Sequence, residues 1–348
     1  MKRQTILEAG ANIHVQSDPP VFYNPRMQFN RTLSSLALGA ALPQLNGRRV
    51  LDGFCATGIR GIRYALENTL DEITFLDADP NAVELARLNA NANQIKNAAF
   101  VCDEFNHFAT ATTPFDVVEV DPFGTPAPFV ANALRACRKK AILSVTATDL
   151  ATLCGRQNQP AKRRYDAEPL YVDFAHELAL RIVLGFVARQ AAMQDAGITP
   201  LFSFYQEHFT KIMVFVEKSA TKANECLTHL DHVYFDPKTL ARDTKPLKTK
   251  TRKIAGPLWV SDVNNAAILK AMKQKAPDEK TRRVLELLES ERGFPPYFYD
   301  VHHVGKTAPK MDALIEKLRK KKFTASRTHV APTGLKTDAT IHQLRRIM

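Results

Sequence analysis

The chain has 348 residues, a hydrophobic content of 45% and a net charge of +12. Its length predicts two domains rather than one core, and its composition excludes a disordered or fibrous protein. No apolar stretch approaches the roughly 18 residues that a membrane helix needs, so we expect no membrane partner. The N-terminus lacks the apolar centre of a secretory signal, and the five scattered cysteines form no CxxC pair, so a cytoplasmic location is expected.

Apolar runs that end in acidic residues alternate with helical patterns along the first part of the chain. The runs are VLDGFCATGIRGIR (50–63), ITFLDADP (73–80), AFVCDEF (99–105) and VVEVDPFG (117–124). Ile59, Ile62 and Leu66, which follow Asp52, recur at helical spacing. Asp79-Pro80, at the end of the second run, is typical of a helix start. This alternation predicts an α/β protein with a doubly wound, mostly parallel Rossmann-type sheet, which binds ligands at the carboxyl ends of its strands.

The loop after the first strand indicates which cofactor binds. A dinucleotide site would need GxGxxG, but residues 53–58 read GFCATG and follow Asp52, which would repel a pyrophosphate. S-adenosylmethionine has no phosphate and carries a cationic amino group and sulfonium, so Asp52 suits it. We expect Asp77 to accept hydrogen bonds from the ribose hydroxyls, and Asp103 with Glu104 to bind the adenine amino group. A nicotinamide oxidoreductase is disfavoured.

The fourth run ends in the tetrad Asp121-Pro122-Phe123-Gly124. A carboxylate and the adjoining backbone carbonyl can both accept hydrogen bonds from an exocyclic amine, while the aromatic ring stacks on the base. Such tetrads occur in enzymes that methylate the amino nitrogens of nucleobases. An isolated tetrad of this kind also fits a plain Pro-Gly turn, so the interpretation depends on the neighbouring features.

Positive charge is concentrated in the second part of the chain. Residues 301–348 hold 11 Lys or Arg against 3 Asp or Glu, and Lys238–Lys253 holds seven cations and one acid. Clustered cations indicate a polyanionic partner, most commonly a nucleic acid, although a solvated basic tail is the alternative. The expected organisation is a catalytic domain with an N-terminal arm (1–222), a basic linker (223–256) and a smaller, basic α/β C-terminal domain that binds RNA (257–348).

Over about residues 20–348 the chain resembles the tRNA guanine-N2 dimethyltransferases that act at position 26. The shared motifs are VFYNPRMQFNR (21–31), ATGIRGIR (56–63), VEVDPFGTP (118–126), SVTATDLATLCG (144–155), KRRYDAEPL (162–170), ITPLFSFYQEHFTKI (198–212), AGPLWV (255–260) and ASRTHVAPTGLKTDA (325–339). The resemblance implies a class I methyltransferase fold, S-adenosylmethionine as cofactor and tRNA as partner. No protein partner is implied. It leaves open whether one or two methyl groups are added.

The resemblance also implies roles for individual residues. Phe22 resembles the aromatic residue that closes over the catalytic pocket, Arg31 a cofactor contact that pairs with the methionine carboxylate, and Arg60 another cofactor position. The acids at 77, 103 and 104 match the ribose and adenine positions. The catalytic group would comprise Asp121, Pro122 and Phe123, with Phe22 opposite.

Many relatives carry paired CxxC zinc ligands ahead of AGPLWV, and this chain departs from that pattern. The stretch 219–254 contains a single cysteine, Cys226, with His229 and His232 nearby. These three side chains could hold a metal on one helical face, but a fourth, softer ligand is missing. A solvated helix is therefore the favoured interpretation, and we expect no metal site.

The last segment predicts a helix whose apolar face contains Met311, Leu314 and Leu318. The phosphate-binding residues are expected among the cations Lys320, Lys321, Lys322, Arg327, Lys336, Arg345 and Arg346. The alternatives to the leading function are an amino-directed methyltransferase that acts on another RNA guanine or on an adenine, and a non-catalytic tRNA-binding protein.

Overall fold

A computed structural model of the chain describes residues 3–305 and 309–348. It begins with an antiparallel hairpin of β1 (Arg3–Glu8) and β2 (Ala11–Gln16). A short 3₁₀ turn (Pro25–Met27) then leads into α1 (Gln28–Ala41). The N-terminal arm is therefore ordered structure, and its hairpin is hydrogen-bonded to Asn89 of a later helix and to Asn93 at the end of that helix.

Seven strands form the central sheet. They are β3 (Arg49–Gly53), β4 (Glu72–Asp77), β5 (Ala98–Cys102), β6 (Phe115–Val120), β7 (Cys137–Ala147), β8 (Ala196–Gln206) and β9 (Phe209–Lys218). The spatial order is β5-β4-β3-β6-β7-β9-β8, and all strands except β9 run in the same direction. The predicted mostly parallel sheet and its first four strands are confirmed.

Helices connect these strands and cover the sheet. They are α2 (Ile59–Glu67), α3 (Pro80–Ala92), α4 (Phe105–Ala111), α5 (Ala127–Ala136), α6 (Leu150–Leu153), α7 (Asn158–Tyr165) and α8 (Ala175–Ala192). Asp79 caps α3 as predicted, because its carboxylate accepts a hydrogen bond from the Asn81 amide at 2.9 Å. On α2, Ile59 and Ile62 are buried, but the predicted apolar face does not extend to Leu66, which is 44% exposed near the helix end.

Alternating side chains of the strands belong to two separate hydrophobic clusters, one on each face of the sheet. Val50, Val117 and Ile142 pack with residues of α1 to α3. Their sequence neighbours, such as Leu51 and Val118, pack on the other face with residues of α5 and α8. A strand reverses its side chains at every residue, so strands buried on both faces need the nearly continuous apolar runs seen in the sequence.

The range 223–256, predicted to be a basic linker, contains regular structure. Its elements are the end of α9 (Ala220–Leu227), then β10 (Leu230–Phe235), β11 (Arg242–Asp243) and the start of β12 (Lys253–Trp259), and the three strands form a sheet in the order β11-β10-β12. Cys226 is buried on α9, whereas His232 lies on β10 and the His229 ring contacts Ser261 Oγ at 2.8 Å. The solvated helix favoured from the sequence thus ends at Leu227 and includes neither histidine. Within the described ranges no three His, Cys, Asp or Glu side chains are grouped as metal ligands.

In its described residues, the C-terminal part contains five helices and a second three-stranded sheet. Its elements are α10 (Ala266–Gln274), α11 (Glu279–Ser290), β13 (Tyr299–Asp300), α12 (Val301–Val304), α13 (Met311–Lys320), β14 (Ala325–Arg327), β15 (Gly334–Thr337) and α14 (Ile341–Ile347), with sheet order β13-β15-β14. The predicted helix is α13, which buries Met311, Leu314 and Leu318. Across the described residues, none of the helices combines the length and apolarity that a membrane crossing requires.

Candidate active site

One cavity of 420 Å³ lies at the carboxyl ends of β3, β4, β6 and β7. It is lined by eight of the ten predicted site residues, which come from four separate segments of the chain: Phe22, Arg31, Asp52, Arg60, Asp77, Asp121, Pro122 and Phe123. The other two, Asp103 and Glu104, do not line it. The parallel sheet brings these segments together because its strands end at a common edge.

The two remaining acids engage nearby groups. The Asp103 carboxylate contacts the His107 ring nitrogen at 2.7 Å, and this hydrogen bond lowers the pKa of Asp103. Glu104 caps α4, where its side chain accepts a hydrogen bond from the His107 amide at 3.0 Å. The strand end is as predicted, but both carboxylates already have local partners outside the cavity.

The loop between β3 and α2 forms the floor of the cavity. Three of its residues have positive φ angles, namely Phe54 (65°), Ala56 (46°) and Gly58 (75°). The Asp77 carboxylate holds this shape, because Oδ2 accepts from the Ala56 amide at 2.9 Å and Oδ1 accepts from the Asp79 amide at 3.0 Å. A side chain at Gly58 would also approach Ala86 to 3.0 Å, so the loop needs glycine there.

Asp52 is a buried acid in the cavity wall. Its Oδ2 accepts a hydrogen bond from the Gly61 amide at 3.0 Å, and the residue is 2% exposed. Burial raises the pKa of Asp52 to about 7, and the positive charge of Arg60 offsets only part of that effect. A cation bound in the cavity would therefore find an acid that ionises near neutral pH.

Arg31 is held by a buried carboxylate of the N-terminal hairpin. Its Nε donates to Glu8 Oε1 at 2.7 Å, and its Nη2 donates to Glu8 Oε2 at 2.5 Å. Glu8 also accepts from Arg63 at 3.1 Å and from the Tyr23 hydroxyl at 3.0 Å. Burial alone would raise the pKa of Glu8, but Arg31 and Arg63 outweigh it and keep the pKa below its usual value. The hairpin thus fixes one wall of the cavity.

Asp121 forms an ion pair with Arg60, the residue that the resemblance relates to the cofactor. Arg60 Nη2 donates to Asp121 Oδ2, and the guanidinium is almost fully buried. Burial raises the pKa of Asp121, but the charges of Arg60 and Lys211 and hydrogen bonds from Arg60 and Thr146 lower it below the usual value. Asp121 is therefore a carboxylate at neutral pH, which suits it to accept hydrogen bonds.

A buried charged network lies directly beneath this pair. Glu119, two residues before Asp121 on β6, is 0% exposed and accepts hydrogen bonds from Lys211 on β9 and from the Tyr64 hydroxyl at 2.9 Å. Lys211 is also fully buried and donates to Thr146 at 3.0 Å. Sequence reasoning did not assign a role to Glu119 or Lys211. The available signal was a charged residue within each of two otherwise apolar strands, VVEV and TKIMVFV.

The turn that carries Asp121 is anchored from the adjacent strand end. Gly124, at φ +76°, donates its amide to Thr148 Oγ1 at 2.8 Å and accepts from the Thr148 amide at 2.9 Å. The next residue, Thr125, contacts the Tyr165 hydroxyl at 2.8 Å, which donates to Asp149 at 2.7 Å. These contacts fix the Asp-Pro-Phe-Gly turn and explain the SVTATDLATLCG and KRRYDAEPL motifs as its support.

Two exposed aromatic rings form the mouth of the cavity. The Phe22 and Phe123 ring centroids lie 4.7 Å apart at an interplanar angle of 88°, with 51% and 77% of the two residues exposed. An apolar surface at the rim of a cavity is typical of a ligand-binding groove. His208, at the β8–β9 turn, lines the same cavity and was not singled out from the sequence.

The basic C-terminal segment is partly neutralised by its own acids. Lys336, one of the cations among which phosphate contacts were expected, is 1% exposed and donates to Glu177 of α8 at 2.8 Å, so it does not present its charge at the surface. Glu177 is 1% exposed and also accepts a hydrogen bond from Arg181 Nε at 2.8 Å, so Lys336 and Arg181 share one buried carboxylate. Arg327 pairs with Asp312 at 2.8 Å and Lys320 with Glu316 at 2.7 Å, both at the surface.

Comparison with known proteins extends these observations. A family model described as N2,N2-dimethylguanosine tRNA methyltransferase matches residues 3–348. The tRNA (guanine(26)-N(2))-dimethyltransferase of Pyrococcus furiosus is 37% identical to this chain over 350 residues, covering 92% of this chain and 91% of that protein. The protein of the same name from Methanobrevibacter smithii is 35% identical over 360 residues, covering 96% and 92%.

A solved structure is similar over nearly the whole length. The complex of Trm1 from Pyrococcus horikoshii with S-adenosyl-L-methionine gives a TM-score of 0.91 at 32% identity and covers 99% of each chain. Both the catalytic sheet and the C-terminal part are thus shared. The chain belongs to the N2,N2-dimethylguanosine tRNA methyltransferase family.

Proposed function

We propose that this chain is a tRNA methyltransferase that uses S-adenosylmethionine to add one or two methyl groups to N2 of guanine at position 26. The observation that carries the proposal is one cavity in which Asp121, Pro122, Phe123 and Phe22 lie together with the acids Asp52 and Asp77. The relatives at 35–37% identity carry the name of this activity, which supports the target position.

The cavity residues fit S-adenosylmethionine better than a phosphate-bearing cofactor. Asp52 is a buried acid in the wall, and Asp77 ends the neighbouring strand, so the cavity favours a cation. In the proposed site Asp77 binds the ribose hydroxyls of the cofactor, and Arg31 binds its methionine carboxylate. Asp52 lies near the cationic amino and sulfonium groups of the cofactor. Asp103 and Glu104 would reach the adenine only after giving up their contacts with His107. When bound, the cofactor supplies a methyl group on a positively charged sulfur, already activated for transfer.

The pKa of Asp52 leads to a testable pH dependence. Because burial raises that pKa to about 7, the side chain is mostly protonated at pH 6 and mostly ionised at pH 8. We therefore expect the affinity for S-adenosylmethionine to rise several-fold between pH 6 and 8, with release of a proton on binding. Isothermal titration in buffers of different ionisation enthalpy measures both quantities. In Asp52→Asn the affinity should be lower and nearly constant with pH, and a wild-type affinity that falls over this range would contradict the assignment.

The role proposed for Asp121 is to hold and orient the amino group. Its ionised carboxylate and the Pro122 carbonyl each accept one N2–H hydrogen bond, which turns the nitrogen lone pair toward the methyl group. Positive charge that develops on the nitrogen is stabilised by the nearby carboxylate. Arg60 restrains the carboxylate and keeps its pKa low, so Asp121 takes the released proton only after the nitrogen has become strongly acidic, directly or through water.

Phe22 and Phe123 are proposed to stack on the flipped guanine. Extruding a nucleotide from a stacked helix costs a few kcal/mol. Stacking of the extruded base on an aromatic side chain offsets about 1–3 kcal/mol of that cost. We expect Phe123→Ala to lower kcat/KM for tRNA by about tenfold or more, whereas Phe123→Tyr should retain most of it. Steady-state kinetics with unmodified tRNA measures this. Equal activity of the alanine and tyrosine variants would exclude stacking by this ring.

The C-terminal domain, residues 257–348, is proposed to bind the body of the tRNA, with 1–222 as the catalytic domain. The surface cations Lys321, Lys322, Arg345 and Arg346 stay candidate phosphate contacts. Because its substrate is tRNA, we propose that the protein acts in the cytoplasm.

Labelled methyl transfer to tRNA, followed by nucleoside mass spectrometry, tests the function directly. The proposal predicts N2-methylguanosine or N2,N2-dimethylguanosine at position 26. Label on an adenine, or at another guanine, would favour the alternative RNA substrates. Tight tRNA binding with no cofactor binding by titration would instead indicate a non-catalytic tRNA-binding protein.

A further inference from the structure

The segment that joins β11 to β12 carries a dense group of cations without acidic partners. Residues 245–253 contain five cations and no acid, and all five are exposed: Lys245, Lys248, Lys250, Arg252 and Lys253. Within the described part of the chain, none of the five forms an ion pair. Three of them, with Thr249, surround a shallow hollow of 570 Å³. Five like charges this close repel one another, and a bound anion would reduce this repulsion.

Asp236 ties the end of the basic loop to the residues that precede the loop. Asp236 Oδ1 accepts from the Lys238 amide at 3.0 Å and from the Thr251 hydroxyl at 2.6 Å, while Oδ2 accepts from the Thr239 hydroxyl at 2.9 Å. Lys238 and Thr239, before the basic stretch, and Thr251, near its end, are thereby tied to one carboxylate. The cations are consequently presented from a fixed backbone, which reduces the entropy lost when they bind a partner.

Arg242 fixes the loop between the two halves of the molecule. This buried arginine donates to Asp173 Oδ2 at 3.2 Å and to the Phe298 carbonyl at 2.5 Å. Its guanidinium also lies 4.4 Å from the Phe174 ring centroid and 4.5 Å from that of Tyr299. Asp173 and Phe174 belong to the catalytic half, and Phe298 and Tyr299 to the C-terminal half. The basic loop therefore starts from their junction.

The C-terminal basic segment differs from this loop in its pairing. Lys336 is buried, and Lys320 and Arg327 have acidic partners within 2.8 Å. Much of the positive charge counted there is thus already compensated, whereas that of the loop is not. None of the five loop cations lines the catalytic cavity, so a role in binding the cofactor or the target base does not account for them.

We propose that the basic loop 245–253 binds the phosphodiester backbone of the tRNA substrate outside the catalytic cavity. This inference rests on the proposed function. A polyanion with regularly spaced phosphates is the chemistry that five fixed, unpaired cations recognise. The position of the loop at the junction between the halves would let it hold the tRNA body while the target nucleotide enters the cavity.

Two variants with equal charge change test the proposal. The loop variant replaces Lys245, Lys248, Lys250 and Arg252 with Gln. The control replaces four exposed cations near the amino ends of β5 and β7, at the sheet edge opposite the cavity: Lys96, Arg138, Lys139 and Lys140. Binding of unmodified tRNA is measured by fluorescence anisotropy at several salt concentrations, and kcat is measured at saturating tRNA.

The loop variant should raise the Kd for tRNA by about tenfold or more at 0.1 M salt and lower the salt slope by about 3, since each phosphate contact contributes roughly 0.7–0.9. Its kcat at saturating tRNA should stay unchanged. The control should shift the Kd by no more than about twofold, because charges beyond a Debye length of about 8–10 Å are screened.

A loop variant with the Kd and salt slope of the control would overturn the proposal. Absence of methyl transfer by the unaltered protein would instead refute the proposed function, and with it this inference.

Discussion

Replacing Asp121 with Asn is expected to lower kcat for methyl transfer to tRNA by about a hundredfold or more. Asn keeps the size of the side chain and one acceptor oxygen, but it removes the negative charge. That charge is maintained in the folded protein because Arg60 and Lys211 outweigh the effect of burial on the pKa of Asp121. The lower kcat therefore reflects slower methyl transfer, the step in which the nitrogen becomes positively charged.

Single-turnover kinetics at saturating tRNA and cofactor separates this effect from substrate binding. Cofactor affinity and thermal stability should change little, because the side-chain volume is retained and Asp121 is a partly exposed residue on a surface turn. Asp121→Ala should be at least as slow, and it should also destabilise the fold, since the buried Arg60 then loses the side-chain oxygen acceptor that Asn would retain. A rate for Asp121→Asn within threefold of the wild-type rate would show that methyl transfer does not require the negative charge of Asp121.

Replacing Lys211 with Met is expected to lower the free energy of unfolding by about 3–5 kcal/mol, the usual loss when one partner of a buried ion pair is removed. Lys211 and Glu119 are both 0% exposed, so the carboxylate would have no access to water after the change. Arg60, whose Nε lies 3.8 Å from Glu119 Oε1, would compensate it only in part because it already pairs with Asp121.

Urea unfolding of three variants isolates this interaction. The double variant Lys211→Met/Glu119→Gln removes both charges and should recover at least half of the lost stability, since Gln still accepts the Tyr64 hydrogen bond. Lys222→Met is the matched control, because Lys222 pairs with Glu225 at 2.6 Å on the surface, where such pairs contribute about 0.2–1 kcal/mol. A loss below 1 kcal/mol for Lys211→Met would show that the buried pair is not needed for folding.

Local patterns allowed much of the sheet and catalytic turn to be predicted. The apolar runs predicted β3 to β6, and the Asp-Pro-Phe-Gly tetrad predicted the position of Asp121, because strands and turns depend on residues that are close in the sequence. The cavity then followed from the rule that parallel strands end at one edge. Asp103 and Glu104 show the limit of this rule, since a strand end does not determine which way each carboxylate points.

Contacts between distant segments could not be predicted in this way. Glu119 and Lys211 are 92 residues apart, and Lys336 and Glu177 are 159 residues apart. Sequence spacing gives no information about which strand lies beside which, so the buried Lys336 resembled an ordinary cation of a basic tail. Conversely, the exposed and unpaired state of the loop cations could be seen only once the acids near them in space were known.

The most direct test of the central claim compares tRNA that carries guanosine at position 26 with the same tRNA carrying inosine there. Inosine lacks only the exocyclic amino group that Asp121 and the Pro122 carbonyl are proposed to hold. We predict methyl transfer to the guanosine substrate, with the label recovered on N2, and no transfer to the inosine substrate. Equal incorporation into both would show that the amino group is not the acceptor and would contradict the proposed roles of Asp121 and Pro122.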